Sequence, residues 1–203
     1  MIRIIMASAN KNKIVEASAI LGWALESLAD IGYSDEIIED GQTFADNALI
    51  KARTVHKTTG FCAIADDSGI CVDYLGGEPG VYSARFAGIH GDDDANNKLL
   101  LSKLENVVGD GRKASYVCAA ACVFPDGEEF VALGELKGHL LDGPMGEGGF
   151  GYDPLFVPQG CTESFGQMDQ EKKNQISHRM LAFTQLKELM DIYFKGQGAK
   201  WLQ

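Results

Sequence analysis

Blocks of apolar residues separated by polar segments run along this chain and predict an alternation of strands and helices. The apolar run from Arg3 to Ser8 predicts a short buried strand, and apolar residues from Ile14 to Leu28 then recur at helical spacing over about four turns. A second helix is predicted from Thr43 to Thr58, because Thr43 and Asp46 resemble a capping box and Gly60 follows the last turn.

The middle of the chain predicts two strands and a third helix. Phe61 to Ala65 reads as a strand that runs into a turn, Asp66 to Gly69, and Ile70 to Leu75 predicts the next strand. Gly76 to Gly80 has the composition of a tight turn, and Asp92 to Asp94 can cap a helix.

A long β-hairpin and a final helix are predicted in the last third of the chain. Residues 114–124 and 128–140 flank Pro125-Asp126-Gly127, a turn sequence that indicates an antiparallel pair, and the last helix begins near Ser177. Because this pair follows an α/β start, we predict an α/β fold with a mixed sheet and helices on both sides. No linker is visible, so residues 1–203 are expected to form a single domain.

Composition and charge exclude several classes of protein. The net charge of −11 argues against a protein that coats DNA or RNA, which needs clustered positive charge. The apolar runs are too short to cross a membrane, and the first is too short for a signal peptide. The cysteines are odd in number and include no C-x-x-C pair, which indicates buried residues in a reducing compartment.

The polar segment SANKNK, from Ser8 to Lys13, is the first candidate site. It lies between a predicted strand and a predicted helix, where backbone N–H groups and the positive end of the helix dipole favour phosphate. Ser8 and Asn10 can add donors, and Lys13 adds charge from the first turn. The glycines of a Walker A motif are absent, and a helix cap with solvated lysines is an equally good interpretation.

Two adjacent carboxylates in ADDSG form the second candidate site. Asp66 and Asp67 follow an apolar run, and Glu39 lies in an acidic turn that can supply a further ligand. Carboxylate oxygens suit Mg²⁺, which keeps waters that can act as nucleophiles. Neighbours on a strand point to opposite faces, so only one of the two aspartates is expected to do this chemistry. The alternative is an ordinary turn.

The loop GGFGYDP is the third candidate site. Phe150 and Tyr152 are two residues apart, and in an extended segment their rings would project to one side with room for a flat ring between them. Asp153 follows, and the glycines allow a ligand to approach the backbone closely. A structural loop with core aromatics is the alternative.

The segment KKNQISHR is the fourth candidate site. Ser177 resembles an N-cap, with His178 and Arg179 in the first turn and Lys173 just before it, so the segment predicts a local anion site. A solvated helix start is the alternative. Together the four segments offer donors for phosphates, carboxylates for a metal and a slot for an aromatic base, which is what a nucleotide with its metal requires.

These segments also resemble the motifs of a known protein family. The sequence resembles the Ham1-type inosine triphosphate pyrophosphatases in SANKNK, EDGQTFADNALIKAR, ADDSGICVDYLGGEPGVYSARFAG, GGFGYDPLF and ISHR, which come in the family's order and cover nearly the whole chain. One departure is Ala9, where the family usually has glycine.

The resemblance implies a Mg²⁺-dependent diphosphatase that converts ITP, dITP or XTP to the monophosphate and pyrophosphate. It also implies an elongated mixed α/β fold with two lobes and a cleft, a cytoplasmic location and a homodimer. Glu39 and Asp67 would bind Mg²⁺, with Asp67 acting on the attacking water and Asp66 supporting it. The remaining residues would bind substrate: Ser8, Ala9, Asn10, Lys11, Asn12, Lys13, Lys51, Ser68, Phe150, Gly151, Tyr152, Asp153, Lys173, His178 and Arg179.

Selectivity for these bases has a physical account. Inosine and xanthine carry a 6-oxo acceptor where adenine has an amino donor, so a base edge met by Arg179 or backbone donors favours the first two. How guanine is rejected does not follow from the sequence. Two alternatives stay open: a Maf-type pyrophosphatase of other specificity, and a catalytically inactive nucleotide-binding protein.

Overall fold

Residues 3–197 are described by a computed structural model of the chain. The strands in this range are β1 (Ile4–Met6), β2 (Glu26–Ser27), β3 (Cys62–Val72), β4 (Lys113–Val123), β5 (Glu129–Leu140) and β6 (Phe156–Pro158). The α-helices are α1 (Lys11–Leu21), α2 (Phe44–Thr59), α3 (Asp93–Lys103), α4 (Gln170–Ile176) and α5 (His178–Gln197). Short 3-10 helices cover Asp73–Leu75, Gly80–Arg85 and Gly109–Arg112.

The strands form one mixed sheet, which confirms the predicted fold class. Their order is β2-β1-β3-β4-β5-β6. β1 pairs in parallel with β2 and β3, whereas β5 pairs antiparallel with β6. Within residues 3–197, no helix has the length and apolar character needed to cross a membrane.

The chain divides into two compact units. Within the described range, the first unit comprises residues 3–67, 118–134 and 179–197, and the second comprises residues 68–117 and 135–178. Strands β3, β4 and β5 contribute residues to both units. That the two units together make one bilobal domain stays a prediction.

In the first unit, successive residues of β1 pack into different clusters, as strand alternation requires. Ile4 and Met6 join a cluster with α1 and α5, whereas Ile5 and Ala7 join a second cluster with α2. The helix residues of the first cluster are Ala17, Leu21, Ala182, Phe183, Leu186 and Met190, and those of the second are Ala52 and Val55. Helices therefore cover both faces of the sheet in this unit.

The second unit has a core of its own, built around Tyr116. The Tyr116 ring meets that of Phe156 edge-on at a centroid distance of 4.8 Å. Buried Arg112 donates hydrogen bonds to the carbonyl oxygens of Leu104, Val107, Leu140 and Leu141. Buried carbonyl groups need hydrogen-bond donors, and Arg112 supplies one to each of these four. Because the four carbonyls come from two segments, Arg112 links the end of α3 to the end of β5.

The first helix is shorter than its apolar spacing predicts. α1 ends at Leu21, because Gly22 adopts a left-handed conformation with φ of 69° and its N–H bonds to the Ser18 carbonyl. The prediction of a helix as far as Leu28 is therefore wrong. Leu25 and Leu28 still pack against the core clusters, so their spacing reflects burial rather than continued helix. The capping box at Thr43 and the end of α2 at Gly60 are confirmed.

β3 is continuous where the sequence predicts two strands and a turn. Asp66 to Gly69 lies within the eleven-residue strand Cys62–Val72, so the predicted turn is wrong. Its composition favours a turn, but the segment lies inside a strand that occupies the sheet position between β1 and β4. α4 is also missing from the prediction, since its seven residues are mostly polar and show no apolar periodicity.

Candidate functional site

Asp66 and Asp67 have separate partners in the first unit, as expected for neighbours on a strand. Asp66 Oδ2 lies 3.2 Å from Lys13 Nζ and 3.2 Å from Arg179 Nε. Asp67 instead accepts a 3.0 Å hydrogen bond from Asn47 Nδ2 and lies 3.4 Å from Lys51 Nζ. The strand thus gives the two carboxylates different surroundings.

Asp66 belongs to a buried charged cluster. Arg179 bonds to Asp66 through Nε and Nη2 and to Glu16 through Nη1, and these three side chains are almost fully buried. Burial opposes ionisation of Asp66, but Lys13 and Arg179 hold the pKa of its carboxyl below the ordinary value. Burial likewise works against the charge of Arg179, yet Asp66 and Glu16 raise its pKa above the ordinary value. Both shifts favour the ionised forms of Asp66 and Arg179.

Asp67 belongs to a second cluster, which includes Glu39. Lys51 Nζ lies 2.7 Å from Glu39 Oε2 and 3.4 Å from Asp67 Oδ1, so one cation draws the two carboxylates together. Burial raises the pKa of Asp67 above its ordinary value, although Lys51 and Lys13 oppose the shift. Burial works to lower the pKa of Lys51, but Asp67 and Glu39 raise it overall.

Asn47 completes this second cluster and is a residue that sequence reasoning missed. Its Oδ1 accepts a 2.9 Å hydrogen bond from the Gly41 N–H while its Nδ2 donates to Asp67. Asn47 therefore ties the loop that carries Glu39 to the strand that carries Asp67. The sequence feature that could have indicated Asn47 is its position four residues before Lys51, which places both side chains on one face of α2.

The donor set in the first unit fits a cation bound partly by substrate. Within residues 3–197, no group of three or more His, Cys, Asp or Glu side chains is arranged to hold a metal. Glu39 and Asp67 nevertheless converge on the ammonium of Lys51. Mg²⁺ is commonly held by one or two carboxylates together with waters and substrate phosphates, so this pair is of the right kind.

The start of α1 is partly capped by its own side chains. Asn10 Oδ1 accepts hydrogen bonds from the N–H groups of Asn12 and Lys13, at 3.0 and 3.3 Å. The Asn10 N–H bonds to Ser8 Oγ at 3.2 Å. These N–H groups already have acceptors, so phosphate binding here would rely on side chains more than the sequence predicts. Lys11 and Asn12 are exposed, and Lys13 is half-buried.

Asp153 is the centre of a buried cluster in the second unit. Its Oδ2 lies 2.7 Å from Lys173 Nζ and accepts a 2.8 Å hydrogen bond from the Phe150 N–H, while Oδ1 accepts from the Tyr116 hydroxyl at 3.3 Å. Lys173 Nζ also lies 4.5 Å from the centroid of the Phe150 ring. The His178 ring stacks on Tyr116 at 4.5 Å. The structure thus joins Phe150, Asp153 and Lys173.

The loop around Gly151 is a turn, so the prediction of an extended segment is wrong. Gly151 has a φ of 63°, in the left-handed region that glycine adopts readily. Tyr152 is buried, and its hydroxyl donates a 2.9 Å hydrogen bond to the Ser83 carbonyl. Tyr152 therefore packs in the core, while Phe150 is half-buried. Ser68 is half-buried within β3.

A groove of about 840 Å³ in the second unit contains none of the predicted site residues. It runs past Asp110, Arg112, Ser115, Glu135 and Cys161. Within it, Ser115 Oγ donates a 2.8 Å hydrogen bond to Glu135 Oε1. The groove therefore offers no argument for binding the substrate.

Comparison with known proteins gives the family. A model of the Ham1 family matches residues 4–189 of the chain. This chain belongs to the Ham1 family. The resemblance seen in its motifs is thereby confirmed.

Individual Ham1-family relatives match over almost their full length. The chain is 47% identical over 191 residues to a Streptomyces coelicolor protein named dITP/XTP pyrophosphatase, covering 92% of this chain and 96% of that protein. A Bacillus licheniformis protein of the same name is 46% identical over 191 residues, covering 93% and 97%. The solved structure of the Staphylococcus aureus Ham1 protein has a TM-score of 0.85 and 37% identity, covering 95% of this chain and all of that one.

Proposed function

We propose that this chain hydrolyses non-standard purine nucleoside triphosphates, namely dITP, ITP and XTP, to the nucleoside monophosphate and pyrophosphate. Two relatives that share nearly half of its residues over almost their full length are named dITP/XTP pyrophosphatases. The observation that carries the proposal is the convergence of Glu39 and Asp67 on a single cationic group in the first unit.

Glu39 and Asp67 are the residues we assign to Mg²⁺. Both are carboxylates, and both contact Lys51 Nζ, which supports a site where the two side chains share one cation. When bound there, Mg²⁺ supplies positive charge and Lewis acidity at the phosphate oxygens. Through its two hydrogen bonds, Asn47 holds the loop that carries Glu39 beside Asp67.

Asp67 is the residue we assign to the attacking water. Its carboxylate orients the water and accepts its proton as the oxygen bonds to the α-phosphorus. The bond from the α-phosphorus to the bridging oxygen breaks, and pyrophosphate leaves with the electron pair. Lysine ammonium groups neutralise charge on the phosphate oxygens, so most of the catalysis is positioning and electrostatics. Lys11, Lys13 and Lys51 are assigned to this role, with Ser8, Ala9, Asn10 and Asn12 lining the phosphates and Ser68 contacting the substrate.

The second unit supplies the residues we assign to the base. The Phe150 ring is half-buried and offers a face for stacking, while Asp153, itself bonded to Lys173, holds the Phe150 N–H. Gly151 and Tyr152 shape the same loop, and His178 stacks within this unit. Arg179 remains part of the proposal as a determinant of base choice, although its guanidinium is engaged by Asp66 and Glu16.

A pyrophosphate-release assay across ITP, dITP, XTP, GTP, ATP and dTTP tests the proposal. We expect rapid turnover of the first three, slow turnover of the others, and pyrophosphate rather than phosphate as the product. The activity should vanish in EDTA and return with Mg²⁺. Equal turnover of ATP and ITP would refute the selectivity, and preferential turnover of dTTP would favour the Maf-type alternative. Full activity in EDTA would refute the metal assignment.

The proposal also includes a homodimer, as the family resemblance implies. Light scattering coupled to size-exclusion chromatography would then give a mass twice that of one chain. A mass equal to one chain at micromolar concentration would remove the dimer from the proposal without affecting the proposed reaction.

A further inference from the structure

Helix α3 holds both backbone groups of Gly151 within the second unit. Asp93 Oδ2 accepts a 2.7 Å hydrogen bond from the Gly151 N–H. Asn97 Nδ2 donates a 3.0 Å hydrogen bond to the Gly151 carbonyl oxygen. Because residues 93 and 97 are four apart, they share one face of the helix. One helical face therefore fixes the direction of the backbone on both sides of this glycine.

Gly151 is a position in the loop where hydrogen bonds to the backbone restrict an otherwise freely rotating residue. Its φ of 63° lies in the left-handed region, and glycine has more conformational freedom than any other residue. A rotation at Gly151 would change the direction in which the adjacent residue Phe150 leaves the turn. The two bonds from α3 restrain this rotation.

Other anchors of the loop act on both the backbone and the ring of Phe150 or on the residues beside it. The Phe150 N–H is held by Asp153, and the Tyr152 hydroxyl is held by the Ser83 carbonyl. The ring is half-buried and has a Lys173 ammonium 4.5 Å from its centroid. The α3 contacts at Gly151 therefore complete a set of restraints on both sides of the ring.

We propose that Asp93 and Asn97 are positioning residues that hold the Phe150 ring in the orientation that stacks on the purine base. This inference rests on the proposed function, in which Phe150 contacts the base. Asp93 suits the role because it lies in the first turn of α3, where the helix dipole favours a carboxylate. Its bond to the Gly151 N–H is charge-assisted, and such bonds are stronger than neutral ones.

The test compares Asp93→Ala and Asn97→Ala with matched controls on the same helix. Asp94→Ala removes the same charge from the same turn at an exposed position, and Lys98→Ala truncates an exposed neighbour of Asn97. For each variant we would measure KM and kcat for ITP, and the Kd values of inosine monophosphate and of inorganic tripolyphosphate by calorimetry. Thermal unfolding would verify that each variant folds.

We expect Asp93→Ala and Asn97→Ala to raise KM for ITP by about tenfold, the effect of losing one good hydrogen bond, while kcat changes little. Inosine monophosphate should bind more weakly by a similar factor, whereas tripolyphosphate binding should be unchanged. Asp93→Asn should restore most of the affinity, since an amide oxygen can still accept from the Gly151 N–H. Both control variants should match the wild-type protein.

Three results would overturn the inference. The first is an unchanged KM in both alanine variants. The second is an equal loss of tripolyphosphate binding, which would indicate general damage to the fold. If Asp93→Ala fails to fold, the comparison of Asn97→Ala with Lys98→Ala decides. The third is a wild-type protein that does not turn over ITP, which would refute the proposed function as well. If the wild-type protein turns over ITP but both alanine variants keep the wild-type KM, this inference alone is refuted.

Discussion

Asn47 on α2 donates a 3.0 Å hydrogen bond to Asp67 on β3, twenty residues further along the chain. The same side chain accepts from the Gly41 N–H, so a single amide satisfies polar groups on two separate segments. An amide can both donate and accept, which neither a carboxylate nor an alkyl group of similar size can do.

Replacement of Asn47 by leucine should therefore lower both stability and turnover. We expect a loss of about 1–3 kcal/mol in the free energy of unfolding, because the Gly41 N–H and the Asp67 carboxylate each lose a hydrogen bond. Urea denaturation measures the first effect and kcat for ITP the second. Leu49→Ala, a half-buried apolar change on the same helix, serves as the control. An Asn47→Leu variant with wild-type kcat would show that Asp67 needs no such support.

The two adjacent aspartates should respond differently to the same change. Asp67→Asn should reduce ITP turnover by about 10³-fold or more while leaving the fold intact, since it removes the carboxylate assigned to the water. Asp66→Asn should mainly lower stability, because Arg179 and Lys13 lose their common anion. Measurement of kcat and of the thermal midpoint separates the two. An Asp67→Asn variant that keeps most of its turnover would contradict the assignment.

Replacement of Glu39 by glutamine should raise the Mg²⁺ concentration needed for half-maximal turnover. The amide offers a weaker ligand than the carboxylate, so we expect the dependence to shift by about tenfold with a smaller change at saturating Mg²⁺. Glu36→Gln, an exposed acid in the same loop, is the matched control. The metal assignment fails if both variants show the wild-type Mg²⁺ dependence.

Arg179→Ala should strongly destabilise the protein. It leaves Asp66 and Glu16 buried without their shared cation, a change that typically costs about 3–5 kcal/mol. A double-mutant cycle with Glu16→Ala, followed by urea denaturation, would measure the coupling between the two residues. The double variant should be less unstable than the sum of the single ones. If the ratio of ITP to ATP turnover also falls in folded Arg179→Lys, the guanidinium contributes to base choice.

Gly69→Ala should destabilise the protein through a steric clash. A Cβ at this position would lie 2.3 Å from Ser83 Oγ and 2.5 Å from the Gly80 carbonyl oxygen. Overpacking of this kind costs about 1–3 kcal/mol. Gly143→Ala is the control, because its Cβ would meet no atom within 4 Å. Equal melting temperatures for the two variants would show that the segment around Ser83 yields easily.

Local signals in the sequence predicted the elements that depend on neighbours in the chain. Thr43 and Asp46 determine the start of α2, and Asp92 caps α3, through contacts three residues away. The Asp66–Gly69 segment shows the opposite case. Its turn composition is a local signal, whereas the place of its strand in the six-stranded sheet depends on residues far away in the chain. Propensity alone could not reveal which of the two would prevail.

The site residues also divide into those that the sequence could indicate and those that only the folded structure reveals. Glu39 and Asp67 were candidates from their carboxylate chemistry, Lys51 came from the family resemblance, and all three lie together in the first unit. Glu16 is separated by 163 residues from its partner Arg179, so nothing in its neighbourhood in the sequence marks it as important. In the sequence, Asp93 looks like part of a helix cap and Asn97 looks like part of an amphipathic helix. Their contact with Gly151 exists only after the chain has folded.

The capping box of α2 has a consequence for how this sequence can change. Thr43 fixes where the helix begins, and Asn47 and Lys51 follow at one and two turns from that start. Each added or deleted residue rotates everything beyond it by about 100° around the helix axis. A single-residue insertion between Thr43 and Asn47 would therefore turn both side chains away from Asp67 at once. The spacing of this segment is as informative a signature as its residue types, and we expect it to tolerate substitutions at exposed positions far better than any change in length.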